Sequence, residues 1–205
     1  PPITRRADME WLRSLDDEIW TMFDGYQVGN LGQILLLREK GVKNCFGDLS
    51  LNVTNGRSIA QLRDLGLKGA VLSCELTTAE IRDIIDQSCL PCEILVYGRI
   101  PLMTLEYCPR AGEKDGCEHC RFMGEYVLKD RLGYRFPIRK RRISRCYSEL
   151  LNSLPVFVAD DMTAFHKLSA AAWGLKLEGL PREERKLVIR SYRYALDHPG
   201  GSLPE

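Results

Sequence analysis

Short apolar runs alternate with longer amphipathic segments along most of this 205-residue chain. The apolar runs lack polar alternation, which predicts strands that are buried on both faces. The amphipathic segments repeat their apolar residues at helical spacing. The predicted strands are residues 22–28, 49–53, 70–74, 93–97, 154–158 and 175–177. The predicted helices are residues 31–40, 57–65 and 182–196, with one more that begins at Thr77 or Thr78.

This alternation predicts an α/β fold, because strand–helix units joined by short loops build parallel sheets. The predicted strands are fewer than the eight that close a (βα) barrel. We therefore expect a single domain over residues 1–205, either an open sheet or the larger part of a TIM-type barrel. The first residues, PPITRR, lack an initiating methionine, so we expect an N-terminal part of the same protein to precede them.

The composition adds little that is unusual, with 44% hydrophobic residues, 28% charged residues and a net charge of +1. The sequence contains neither an apolar run long enough to span a membrane nor a signal-peptide pattern. Eight cysteines without an export signal favour a cytoplasmic protein, whose thiols serve as ligands or stay free.

Four of the cysteines lie in or beside one segment that interrupts the alternation of predicted strands and helices. Cys108, Cys117 and Cys120 lie in CPRAGEKDGCEHC, and Cys146 follows a basic stretch. Thiolates are soft ligands that suit iron–sulfur clusters and tetrahedral zinc. Four unrelated thiols are the alternative. The sequence thus predicts an inserted four-cysteine module over residues 108–146.

Within this module, residues 126–129 and 134–138 flank a short turn and are predicted to form an antiparallel hairpin. Residues 135–145, which overlap the second strand of this hairpin, form a basic stretch. Its basic residues are Arg135, Arg139, Lys140, Arg141, Arg142 and Arg145. A run of this kind either contacts phosphate groups or is a solvated surface loop. Tyr134 and Phe136 interleave with the cations, an arrangement that suits unstacked RNA bases.

Polar residues also follow the predicted parallel strands, where such sheets bind ligands. They are Asn30, Asn52, Asn55, Glu75 and Arg99. The asparagines are equally suited to turns and helix caps. Arg99 contacts either a ligand or a structural carboxylate.

The sequence marks no catalytic residues for hydrolysis. Its three histidines, His119, His166 and His198, lie in neither a nucleophile elbow nor an HExxH motif. The pair Cys89 and Cys92 has CxxC spacing, which fits either redox chemistry or packing in the core.

Several segments resemble, in the right order, the collagenase-like peptidases of unassigned catalytic type, peptidase family U32. They are EILVYGRIPLMTLEYCP, LKDRLGYRFPIR and CYSELLNSLP, with VGNLG and the final helix. The resemblance runs from about Gly25 to Leu196 and is most specific over residues 93–155. It implies a modified (βα) barrel, of which this chain is the later part.

The resemblance also implies a function, because better-understood relatives carry an iron–sulfur cluster on four cysteines and support hydroxylation of RNA or a ubiquinone precursor. The implied ligands are Cys108, Cys117, Cys120 and Cys146. Pro101 stands where the usual signature has a further cysteine.

The candidates for binding a substrate are Arg99, Arg131, Asn152, Arg139, Arg141 and Arg142. The expected partner is RNA, a peptide or a small carboxylate. The alternatives are peptidase activity, as the family name says, and a non-catalytic fragment stabilised by zinc.

Overall fold

The computed structural model describes residues 4–108, 126–142, 146–158 and 162–198. Two compact units divide the chain. Unit 1 comprises Pro1–Tyr97 and Phe157–Glu205, and unit 2 is Gly98–Val156.

The strands in the described ranges are β1 (Tyr26–Val28), β2 (Cys45–Gly47), β3 (Gly69–Val71), β4 (Cys92–Gly98), β5 (Pro101–Leu105), β6 (Tyr126–Lys129), β7 (Arg135–Arg142), β8 (Cys146–Leu151), β9 (Val156–Phe157) and β10 (Ala172–Leu175). The helices are α1 (Arg6–Arg13), α2 (Asp17–Thr21), α3 (Leu31–Glu39), α4 (Gly56–Asp64), α5 (Thr78–Gln87), α6 (Met162–His166) and α7 (Arg182–Asp197). In addition, Leu49–Leu51 forms a 3-10 turn.

Unit 1 is built on a parallel sheet of order β1-β2-β3-β4-β10, to which β9 adds by pairing with β4. This order follows the chain without reversal, so right-handed crossovers place α3, α4 and α5 on the same face of the sheet. The prediction of parallel βα units is therefore confirmed. Among the described residues β1 and β10 are not paired with each other, and barrel closure stays a prediction.

One apolar cluster joins the helices of unit 1 to the sheet. Ile34, Ile59 and Ile81 from successive helices pack with strand residues such as Leu72 and Val96. Side-chain caps fix where these helices begin: Asn30 caps α3, Asn55 caps α4, and Thr77 with Glu80 forms a capping box on α5. The alternative reading of Asn30 and Asn55 as capping residues is thereby confirmed.

Unit 2 is an antiparallel sheet of order β5-β8-β7-β6. The predicted hairpin is confirmed as β6 and β7, with Tyr126 opposite Ile138 and Lys129 opposite Arg135. Asp130 stabilises the turn by accepting hydrogen bonds of 2.9 Å from the amides of Leu132 and Tyr134. The limits 108–146 of the inserted module stay a prediction.

Three predictions of strands were wrong in position, and one of them is 175–177, where β10 lies earlier and ends at Leu175. Residues 49–53 form the 3-10 turn and an isolated bridge at Val53, whereas the strand is β2, a few residues earlier. Asn52 has φ 49°, a left-handed conformation that ends any extended run there. At 22–28, only Tyr26–Val28 is strand, and Met22 and Phe23 before it are exposed.

None of the helices in the described ranges combines the length and the apolar character that a membrane span requires.

Candidate functional site

The two described cysteines of the predicted module lie at the same end of the unit 2 sheet. Leu105, the last residue of β5, pairs with Ser148 of β8 in antiparallel register. Beyond this pair, the chain leaves β5 through bends at Glu106 and Tyr107 and reaches Cys108, while β8 runs back to Cys146, its first residue. Adjacent strands lie about 4.8 Å apart. Two cysteines separated by some forty positions in the sequence thus lie toward the same end of the unit 2 sheet, which we call the cysteine edge.

The other two strands of unit 2 also end or begin toward the cysteine edge. β7 ends there with Arg142, which pairs with Cys146. β6 runs away from the edge and begins at Tyr126, so the chain leaves the sheet after Cys108 and returns to it from the same side. Cys117 and Cys120 belong to the connection between these points and lie outside the described residues.

Cys108 and Cys146 fit a metal centre in their chemistry. Both are free thiols, Cys146 exposed and Cys108 partly so, and a thiol must be accessible and unbridged to take up a metal. The described residues alone contain no group of three or more metal-binding side chains. A complete four-thiolate site would need Cys117 and Cys120 as well.

Two of the predicted substrate-binding arginines form an ion pair within the sheet, and their role in substrate binding stays a prediction. Arg139 donates to the carboxylate of Glu149 at 2.8 Å, and Arg141 donates to the same oxygen at 3.3 Å. The Glu149 side chain is only 5% exposed, so its charge is compensated inside the sheet. The sequence analysis missed Glu149, although folding residues 135–142 back onto 146–151 as a hairpin would have placed Glu149 opposite Arg139.

The remaining cations of this segment are available at the surface. Within the described residues, Arg131, Arg135 and Arg142 are exposed and form no ion pair. Arg142 is the one that lies at the cysteine edge. Lys140 places its ammonium 4.4 Å from the centre of the Tyr126 ring, a cation–π contact on the face that also carries Arg142.

Arg99 and Asn152 stabilise the start of unit 2 through hydrogen bonds to main-chain atoms. The Arg99 guanidinium donates to the carbonyl oxygens of Asn152 and Ser153, rather than to the carboxylate that was the expected structural partner. The Asn152 amide accepts a hydrogen bond of 2.9 Å from the Ile100 N–H and donates to the Leu154 carbonyl. These contacts account for both residues structurally, and a role in substrate binding stays a prediction.

The rim of the unit 1 sheet holds the other polar candidates. Asn52 accepts a hydrogen bond of 2.7 Å from the hydroxyl of the buried Ser73, which ties the end of the 3-10 turn to β3. Cys92 is buried, and burial raises the pKa of its thiol, whereas Cys89 is exposed. A raised pKa keeps the Cys92 thiol protonated, and the protonated thiol is the less reactive form. Packing in the core therefore explains the presence of this cysteine better than redox chemistry does.

The described histidines contact main-chain carbonyls. His166 lies 2.8 Å from the Ala195 carbonyl oxygen, and His198 lies 3.0 Å from that of Tyr194. His119 lies outside the described residues. The described part of the chain therefore offers no histidine oriented toward a nucleophile.

Comparisons with known proteins give one match. The family model of peptidase family U32 matches residues 10–201. A search of curated proteins and a search of solved structures found no match. Since the family model covers nearly the whole chain, the chain belongs to peptidase family U32.

Proposed function

We propose that this chain holds an iron–sulfur cluster on Cys108, Cys117, Cys120 and Cys146 and supports a reaction on RNA, hydroxylation being the one that the resemblance implies. The observation that supports the proposal is the register of β5 with β8, which directs the segment leading to Cys108 and the start of β8 at Cys146 toward one end of the unit 2 sheet. Unrelated thiols have no reason to converge across such a separation in the sequence.

The donor set favours a cluster, because four thiolates are the usual ligands of iron–sulfur clusters. A bound cluster exchanges single electrons and can act as a Lewis acid toward an oxygen donor. The same donors would also hold structural zinc. The residues of the chain would position the substrate: Arg142, opposite Cys146, is the cation best placed to hold a phosphate beside the cysteine edge.

The cluster is tested by anaerobic purification followed by iron, sulfide and zinc analysis and by a visible absorbance spectrum. We expect iron and sulfide in the parent protein and a nearly complete loss of both in Cys108→Ala and Cys146→Ala. Cys89→Ala is the matched control, because that thiol is exposed and lies in unit 1.

Iron retained by both edge variants would contradict the proposed ligands. Stoichiometric zinc and a colourless protein would show a structural metal centre instead. A folded, reconstituted protein that holds neither metal would return peptidase activity as the leading hypothesis.

Binding of RNA is supported by the exposed cations of unit 2 beside aromatic rings. Phosphate contacts weaken as salt rises, and each contact adds about one unit to the slope of log affinity against log salt. We expect Arg142→Ala to weaken binding of single-stranded RNA several-fold and to lower that slope by about one.

The control for this measurement is Arg82→Ala, which removes an exposed arginine from α5 in unit 1 and should leave affinity and slope unchanged. Fluorescence anisotropy over a salt series provides both quantities. RNA binding that is equal in both variants would show that Arg142 makes no phosphate contact.

A further inference from the structure

The two faces of the unit 1 sheet differ in what their side chains contact. Side chains alternate along a strand, and the core cluster with the helices takes Cys45, Ala70 and Cys92 from one face. The register places Gln27 beside Phe46, and Glu93 beside Val71 and Ala172, on the opposite face. This second face therefore carries a carboxylate and an aromatic ring outside the helix-packed core.

A cavity of about 550 Å³ lies against the strands of unit 1, within the usual range for small-molecule sites. Its lining includes Gln27, Phe46, Gly69, Glu93 and Ala172. A Cβ at position 69 would lie 3.0 Å from the Pro91 carbonyl oxygen and 3.3 Å from the Phe46 ring, so glycine at this position relieves crowding in the lining. The Phe46 ring stays 41% exposed, so it offers an apolar surface to a ligand.

The Glu93 side chain extends over the neighbouring strand β10. A Cβ added at Gly174 would lie only 2.4 Å from Glu93 Oε1, so glycine at 174 makes room for this carboxylate. Among the described residues no hydrogen-bond donor or ion-pair partner contacts the carboxylate. A half-buried carboxylate without a donor loses much of its hydration and gains no hydrogen bond in return.

The charges around Glu93 leave its carboxylate poorly compensated. Burial raises the pKa of Glu93, the Asp48 carboxylate raises it further, and the Lys176 ammonium lowers it by less. Because repulsion from Asp48 outweighs attraction to Lys176, an additional cation would stabilise the ionised carboxylate.

We propose that this cavity binds a small organic cation, an amine with an adjoining aromatic or apolar body, whose charge pairs with Glu93 and whose apolar part packs against Phe46. The carboxylate supplies the counter-charge, and the Gln27 amide adds a polar group at the other end of the lining. The inference concerns unit 1 alone and does not depend on the cluster or on RNA.

The proposal is tested with three probes of one shape: benzylamine, which is cationic at neutral pH, benzyl alcohol, which is neutral, and benzoate, which is anionic. Ligand-observed NMR titrations give their dissociation constants. We expect saturable binding of benzylamine, about tenfold tighter than that of benzyl alcohol, and weaker binding still of benzoate.

Two variants locate the site. Glu93→Gln keeps the shape of the side chain and should weaken benzylamine binding about tenfold, to the level of benzyl alcohol. Gly174→Ala should weaken it as well, because the added methyl group displaces the Glu93 carboxylate. Asp83→Asn is the matched control, since it removes one exposed negative charge from α5 and should change nothing.

Folding of each variant is checked by thermal unfolding, and Glu93→Gln should be at least as stable as the parent at neutral pH because it no longer buries a charge. Equal affinities for the three probes, undiminished benzylamine binding by Glu93→Gln, or no saturable binding of benzylamine to the parent would each overturn the proposal.

Discussion

Replacing Tyr192 with alanine should lower the free energy of unfolding by about 4 kcal/mol, the usual range for removing a buried aromatic ring. Tyr192 is only 3% exposed, and its ring makes edge contacts with Tyr97 and Phe157 at centroid distances of 5.9 and 6.1 Å. Its hydroxyl donates to the Val96 carbonyl at 2.7 Å and accepts from the Val158 N–H at 3.1 Å. One side chain of α7 thus secures both β4 and the segment that follows β9.

Urea unfolding monitored by circular dichroism measures this effect. Tyr192→Phe keeps the ring and loses the hydroxyl, so it should cost only about 1–2 kcal/mol. Leu187→Ala on the same helix is the control: that side chain is 61% exposed, and its loss should change stability by less than about 0.5 kcal/mol. A Tyr192→Ala variant as stable as the Leu187→Ala control would show that α7 does not anchor unit 1.

Replacing Glu149 with alanine should destabilise unit 2 by about 2–3 kcal/mol and should at the same time strengthen binding to RNA. The stability falls because Arg139 and Arg141 lose the carboxylate that compensates them. We place the value below that of a fully buried pair because the two arginines are 23% and 37% exposed and therefore partly screened. The affinity rises because the released guanidinium groups become available to phosphate.

The two readouts separate a structural role of the arginines from a role in binding RNA. Arg139→Leu and Arg141→Leu combined with Glu149→Leu remove all three charges of the network and should recover most of the lost stability. That triple variant should not gain affinity for RNA, because it has no released guanidinium group. A Glu149→Ala variant whose stability is unchanged would show that water compensates the arginines as well as the carboxylate does.

The parts of the fold that could be predicted are those with local signals. Thr77 and Glu80 mark the start of α5 through a capping box, and the apolar spacing around Ile81 and Ile84 marks its buried face. The helix α7 was predicted nearly to its limits because Pro181 precedes its first residue and apolar residues recur along it, although of those residues Leu187 and Ile189 are exposed. Buried strands such as β4 are apolar without interruption, and that pattern is visible in the sequence.

The parts that could not be predicted depend on pairing between distant segments. β5 is short and partly exposed, and nothing near it in the sequence indicates that it pairs with β8. The spacing of cysteines could suggest a common site, but only the register of β5 and β8 shows that Cys108 and Cys146 lie toward the same end of the unit 2 sheet. The pairing of Glu149 with two arginines likewise follows from register, because local patterning predicts only a basic strand.

The register of unit 2 also bears on the order in which the chain folds. Within the parallel sheet, β4 must meet β10 across the whole of unit 2, and closing this loop of about seventy residues costs on the order of 4 kcal/mol in chain entropy. Pro101 pairs with Leu151, so unit 2 joins its own two ends when β5 and β8 associate. If this sheet forms early, it restricts the chain between β4 and β10, so most of that entropy is lost before the parallel sheet is completed. Early formation of the antiparallel sheet would thus lower the entropic cost of pairing β4 with β10 in unit 1. The same sheet carries the cysteine edge.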